Sequence, residues 1–319
     1  MISYAAPVWS DCLGMVHIDR KLQSAQQRAL IRICRAYSTA PTKALQLLAR
    51  KLPIQLTISL ITQRWLIQDN QINSINGIPY DNIERTKKGI PSINPAYWPD
   101  ITDQPWPIQH LTIFTDGSKN NTAVGCAFVV YANNEETFTY TTRLEETCSV
   151  FQAELWAILS AIRWCDSIYN RTEITIFTDS YSSMQAIHNL QWRSPIVHDI
   201  LLELAKDINR YAIVWVRGHA GVSGNKQADQ LAYMASEVES EPSYNATPQC
   251  HILRQTKENA FAIWQRQWEE HSECLTKEFF PKVSDSTLPK IGPILYWTWE
   301  VQPISSQVWQ IGKLTVRNL

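Results

Sequence analysis

Apolar and polar positions change period along the chain, and each change marks a change of element. Over residues 17–37 (HIDRKLQSAQQRALIRICRAY) apolar residues recur at helical spacing, through Leu22, Ala29 and Ile33 and through Leu30, Cys34 and Tyr37. A second helix is expected from Thr42 to about Leu52, and Pro53 opens a third with Ile54, Ile58, Ile61 and Trp65 as its stripe. Residues 71–109 hold six prolines and no period, which predicts an extended or polyproline linker. From His110 the period falls to two. Strands are expected at HLTIFTD, Val124 to Ala132 and Thr137 to Leu144, with Asn133-Asn134 as the hairpin turn. A helix over Cys148 to Asn170, a strand at EITIFTD, helices over Tyr181 to Leu190 and Pro195 to Arg210, a fifth strand at AIVWVRG and a helix over Asn225 to Ser236 follow. The order β-β-β-α-β-α-α-β-α predicts an α/β fold around a mixed five-stranded sheet, with an antiparallel meander first and parallel crossovers after it.

Beyond residue 237 come a polar connector and a helix over His251 to Ser272 with Ala260, Trp264 and Trp268 at i, i+4 and i+8. That spacing fits packing better than base stacking. The tail from Phe279 holds four prolines and Trp297, Trp299 and Trp309.

Composition narrows the class. The 319 residues, 45% hydrophobic and 18% charged, suffice for a full core and more than one domain. No apolar run nears the ~20 residues of a membrane span, the first residues lack a basic signal-peptide region, and the expected location is intracellular with no membrane partner. Seven scattered Cys without a CxxC pair point to neither a disulfide framework nor a zinc site. The net charge of −1 hides an asymmetry: residues 1–109 carry 12 Lys+Arg against 7 Asp+Glu, and residues 110–240 carry 9 against 15. An acidic middle segment favours cations over phosphates, and the basic N-terminal part is either a phosphate grip or a solvated face.

The acidic segment holds the candidate chemistry. Ile113-Phe114-Thr115-Asp116 recurs letter for letter as Ile176-Phe177-Thr178-Asp179, two strands that each deliver a carboxylate at the carboxyl end, where open α/β sheets place their sites. Glu154 shares a helical stripe with Ala157, Ile158 and Ala161, so it is expected on a buried face, where an unpaired carboxylate is disfavoured. Asp229 adjoins Ala228 and precedes Ala232 by three residues, a second acid on an apolar face. Each acid alone reads as a surface or capping residue. Four together, without His or Cys ligands, fit a hard cation with oxygen ligands, Mg²⁺ or Mn²⁺, and hence a phosphodiester substrate. Two such ions would activate a water and stabilise the leaving oxygen in phosphodiester hydrolysis.

TDGS at 115–118, QAEL at 152–155, TDS at 178–180 and GHAGVSGNKQADQLA at 218–232 resemble, in kind and order, the four signature blocks of ribonuclease H. The resemblance covers about residues 110–237 and implies the ribonuclease H-like fold, two Mg²⁺ ions and hydrolysis of the RNA strand of an RNA/DNA hybrid, leaving 5′-phosphate and 3′-hydroxyl ends. It implies a catalytic, metal-holding set of Asp116, Glu154, Asp179 and Asp229. Asp116 would bridge both ions, Glu154 and Asp179 would hold the leaving-group ion, and Asp229 would hold the water-activating one. His219, on a flexible loop, would assist proton transfer or product release. Gly117, Ser118, Gln152 and Asn225 are the implied substrate contacts. Val150 and Phe151 stand where relatives carry two amide side chains that read the RNA, and the loop before Pro195 has only Arg193 as a cation, beside Trp192.

The flanks AAPVWSDC, RKLQSAQQRALIRICRAY and TAPTKALQLLARKLPI look like the segment after the polymerase domain of non-LTR retrotransposon reverse transcriptases, and SVFQAEL, DSYSSMQAI and WQRQW look retroelement-like. With no YxDD motif and no Cys/His knuckle, the chain is expected to be a fragment of such a polyprotein. The implied division is a helical connector over 1–70, the linker over 71–109, the ribonuclease H domain over 110–237, and a polar connector, helix and Trp-rich tail over 238–319. The alternative reading is a catalytically inactive, retrotransposon-derived nucleic-acid-binding or scaffold protein. An integrase of similar fold would carry its Glu last among the acids, whereas here it is second.

Overall fold

The structure, a computed structural model, describes residues 4–69, 74–87, 99–103, 110–120, 123–189, 194–218, 222–270, 275–283, 301–305 and 308–311. In chain order its elements are helices α1 (Ala6–Trp9), α2 (Val16–Cys34), α3 (Thr42–Leu48) and α4 (Ile54–Asp69), then short strands β1 (Ser74–Ile75), β2 (Ile78–Pro79) and β3 (Asp100–Thr102). Next come β4 (Leu111–Lys119), β5 (Val124–Ala132), β6 (Glu135–Leu144), α5 (Val150–Ile168), β7 (Glu173–Thr178), α6 (Tyr181–His188), α7 (Pro195–Leu204), β8 (Arg210–Trp215) and α8 (Ser223–Glu237). The chain ends with α9 (Gln249–Glu269), α10 (Leu275–Phe279) and a hairpin of β9 (Val301–Ser305) and β10 (Val308–Ile311). Contacts divide it into two compact units, Leu66–Thr256 and Met1–Trp65 together with Lys257–Leu319.

The larger unit is built on a sheet of order β3-β8-β7-β4-β5-β6. β4, β5 and β6 form the expected antiparallel meander, and β7, β8 and β3 continue it in parallel. The turn between β5 and β6 is Asn133-Asn134 with φ of 54° and 66°, the left-handed pair that a two-residue hairpin needs and that Asn tolerates. The five expected strands are joined by a sixth. β3 lies in the proline-rich stretch expected to be an extended or polyproline linker, and the same stretch carries the β1–β2 hairpin and buried Ile83, which pairs with Thr247. Three residues between prolines are too few to show a period, but backbone N–H and C=O groups suffice to extend a sheet edge.

One sheet face is covered by α5, α6 and α7, whose Leu155, Ile158, Leu159, Ile162, Ile187, Val197 and Ile200 pack on Leu111, Ile113, Ile174 and Ile176. Fully burying each such side chain contributes about 1.5–3 kcal/mol. On the other face Phe177, Ala212 and Val214 cluster with Phe114, and α8 packs on β4 and β5. α7 stops at Leu204, short of the expected Arg210, because the chain turns through Asp207 with φ of 52° to start β8. Ser194, at the N-cap of α7, makes no capping bond and instead donates to Glu84 Oε1 at 3.1 Å.

In the other unit, α2 turns Leu30 inward and Gln26 into a polar knot: Gln26 Nε2 donates to Leu52 O at 2.7 Å, and its Oε1 accepts from Ile54 N and Gln46 Nε2. The expected apolar stripe is only partly used, since Ile33 and Tyr37 are exposed and Arg35, in the left-handed region, ends the helix. Trp264 and Trp268 pack with Leu47 and Val283, the core role that their spacing predicts. Trp192, Arg193, Trp297 and Trp299 lie outside the described residues.

Candidate active site

The two IFTD copies are neighbours in register. β4 and β7 pair in parallel with Ile113 opposite Ile176, Phe114 opposite Phe177 and Thr115 opposite Thr178. The two rings stack at 5.0 Å between centroids and 18° between planes, and Thr115 Oγ1 donates to Phe177 O at 3.2 Å. One residue further along each strand come Asp116 and Asp179, which therefore leave the same sheet edge side by side. The repeat is thus a device for pairing two acids.

Glu154 reaches them from α5. Ser149 starts this helix with a capping box, its Oγ accepting from Gln152 N at 3.2 Å and its N–H donating to Gln152 Oε1 at 3.0 Å. One turn on, the helix crosses β4 at Gly117, where a Cβ would stand 2.5 Å from Glu154 N, so only glycine permits the approach. The result is a group of Asp116, Glu154 and Asp179 with one carboxylate oxygen from each within 4.8 Å of the others. Asp116 and Glu154 are each 6% exposed, and Asp179 is half-buried.

Burial, followed by the charges of Asp179 and Asp229, pushes the Asp116 carboxyl up to about 7, with the Gly117 amide pulling the other way. Burial, then Asp116 and Asp179, pushes Glu154 well above the ordinary carboxylate range. Glu154 Oε2 is buried without a hydrogen-bond partner. An unsatisfied buried oxygen facing two further carboxylates is strongly disfavoured by itself and suits a hard divalent cation. The donor set therefore fits a metal ion.

Asp229 stands apart from this close group. It is half-exposed on the flank of α8 rather than on its buried stripe of Asn225, Ala228 and Ala232, because it lies one residue round the helix from Ala228. Its charge is nonetheless felt at both Asp116 and Glu154. His219 lies outside the described residues.

The four expected substrate contacts divide. Gly117 and half-buried Ser118 sit on β4 next to Asp116. Asn225 is buried, and its Nδ2 donates to Asp179 Oδ2 at 3.2 Å, so it holds a carboxylate directly. Gln152 is a correction: it is 1% exposed, closed into the capping box, and its Nε2 donates to Ala246 O at 3.0 Å, leaving nothing for a substrate. Phe151 packs against the core, and Val150 is exposed.

Two features had no signal in the residue pattern. Trp215, paired with Thr178 at the end of β8, donates from its indole N–H to Asp179 O at 3.0 Å. Residues 243–247 strap the start of α5: Tyr244 O accepts from Glu145 N, Tyr244 packs on Trp156, and Thr247 exchanges backbone bonds with Asn82 and Glu84. Glu84 is held under this strap, pushed up by burial and drawn back by hydrogen bonds from Ser194 and Gln152.

Comparison with known proteins gives a consistent result. The RNase H family model matches residues 108–237. A ribonuclease H of Proteus mirabilis is 32% identical over 146 residues, covering 40% of this chain and 88% of its own length. Ribonucleases H of two Pseudomonas fluorescens strains are 28% and 30% identical over 110 residues, each covering 27% of this chain and 73% and 72% of their own lengths.

Proposed function

Because the chain belongs to the ribonuclease H family, we propose that it hydrolyses the RNA strand of RNA/DNA hybrids, leaving 5′-phosphate and 3′-hydroxyl ends. The observation that carries this reading is the group of Asp116, Glu154 and Asp179, three carboxylates from β4, α5 and the end of β7 brought within 4.8 Å around a buried, unpartnered oxygen.

Asp116, Glu154, Asp179 and Asp229 are the residues that would hold two Mg²⁺ ions, Mn²⁺ being the substitute that oxygen ligands also accept. When bound, the ions supply an activated water and neutralise charge on the leaving oxygen. The chain's own contribution is positioning. The Asn225 amide and the Trp215 indole N–H hold the side chain and carbonyl of Asp179, and Gly117 brings Glu154 against Asp116. Gly117 and Ser118, on the strand that carries Asp116, are the proposed substrate contacts, and His219 the proposed proton-transfer residue. The catalytic domain is proposed to span 110–237 within the unit Leu66–Thr256.

The flanking motifs support a retrotransposon reverse-transcriptase origin for the chain. No described helix is long and apolar enough to cross a membrane, and the cysteines of the described residues are free thiols, which supports an intracellular setting.

The test is cleavage of an end-labelled hybrid by the full chain in Mg²⁺, beside Asp179→Asn. Cleavage of the RNA strand by the first and not the second is expected. No cleavage at high enzyme concentration would overturn the reading and leave the non-catalytic nucleic-acid-binding role.

A further inference from the structure

α2 presents one ordered row of positive charge. At 100° per residue, His17, Lys21, Ser24, Arg28 and Arg32 fall on one narrow stripe, opposite the face on which Gln26 and Leu30 are fixed inside their unit. Lys21, Arg28 and Arg32 are exposed, and Arg20 and Arg35 flank the row, also exposed. The helix has a single acid, Asp19, which is turned away and accepts from Gln23 and Gln55. Among the described residues none of these five cations is in an ion pair. The C-terminal end of a helix favours cations, which accounts for Arg32 but not for Arg20 and Lys21 in the N-terminal half.

We propose that this stripe grips the phosphate backbone of a nucleic-acid duplex, the hybrid substrate of the reading above, on which the proposal rests. Charge complementarity selects the occupant. A one-dimensional row of cations, about 6 Å apart along the axis from Arg28 to Arg32 and about 10 Å from Lys21 to Arg28, matches a partner with a continuous line of negative charge, about one per 1.7 Å of duplex axis. The need is set by the rest of the chain: residues 110–240 carry 9 Lys+Arg against 15 Asp+Glu and repel the polyanion that their site must cut. The inner face of α2 is committed to its own unit, and its exposed large apolar residues, Val16 and Ile33, lie at opposite ends of the helix and form no continuous face for a lipid surface.

The experiment titrates a labelled hybrid with the full chain in EDTA, where binding is read without cleavage, at salt from 50 to 200 mM. The triple variant Lys21→Gln, Arg28→Gln, Arg32→Gln is expected to bind at least tenfold more weakly at the low-salt end. Its log K against log salt slope should be shallower by about 2 to 3, at about 0.9 per lost phosphate contact. Lys21→Arg, Arg28→Lys, Arg32→Lys should keep affinity and slope, separating charge from packing, and thermal melts report folding of both. In Mg²⁺ the Gln variant should show a raised KM with kcat unchanged. Unchanged affinity and slope would overturn the proposal even with cleavage intact, whereas absent cleavage with salt-dependent binding retained would overturn only the catalytic reading. Equal competition by phosphatidylserine vesicles would also overturn it, assigning the stripe to a membrane surface.

Discussion

Gln152 and Glu154 stand two residues apart on one helix, both buried and both polar, and they are opposites. Gln152 has its oxygen in a capping box and its nitrogen on Ala246 O. Glu154 has a buried oxygen with no partner and two more carboxylates facing it. A buried polar group with every bond satisfied is architecture, whereas one left unsatisfied among like charges is a place kept for something else. The same turn of α5 thus carries both the fastening of the fold and the centre of the candidate site, on opposite sides.

The sharpest break of this contrast is Glu154→Gln. Removing one charge should reduce hybrid cleavage by about 10³-fold or more while raising the melting temperature of the metal-free chain, because a repelled acid becomes neutral. A melting temperature that falls would mean that Glu154 is structural, as Gln152 is.

Next in size is the effect of pH on the metal-free chain. Asp116 has its carboxyl pushed up to about 7 from an ordinary 3.8, so the folded state binds the proton more tightly than the unfolded one. The stability this gives is fully present below about 4 and is lost as pH rises through about 7, on the order of 4 kcal/mol over that whole range and about 2–3 kcal/mol between pH 5 and pH 8. Chemical denaturation at pH 5 and pH 8 should show the loss, and Mg²⁺ should restore stability at pH 8. A metal-free chain equally stable at both values would break the picture of repelled acids.

Gln152→Ala should act on the other side of the helix, destabilising the chain by about 1–2 kcal/mol through the lost cap and the lost bond to the strap. Cleavage per folded molecule should stay near that of the unaltered chain. A rate loss exceeding tenfold without loss of stability would return Gln152 to the substrate. The smallest effect is expected for Trp215→Phe, which deletes one hydrogen bond to Asp179 O and should slow cleavage about three- to tenfold, about 0.5–1.5 kcal/mol, with KM unchanged.

Much of this was legible because it is written in side chains. The change of period located the five main strands, and the repeated tetrapeptide with Glu154 located the carboxylate group. The capping box was equally legible as Ser149-x-x-Gln152, and it holds Gln152 buried and fastened where the adjacent block implies a substrate contact. What stayed hidden is written in the backbone. β3 joins the sheet through peptide groups between prolines, and the strap joins Thr247 to Asn82 and Glu84 through main-chain bonds that any residue can make. Trp215 ends an apolar strand, where its size predicts packing and says nothing of the carbonyl that its N–H finds. Asp229 sits one step round α8 from the buried stripe that its apolar neighbours predict, because a helix turns each residue by 100°.

The in-register pairing of the two IFTD strands sets a length as well as an order. Neighbouring strands of any sheet run about 4.8 Å apart, so two acids that leave adjacent parallel strands at the same step inherit that interval from the peptide backbone itself. The interval is fixed by hydrogen-bond geometry common to all sheets, and core substitutions that keep the ladder intact will leave it unchanged. The sheet acts as a ruler that sets the spacing of the two acids, and mutations elsewhere can dull the site without altering that spacing.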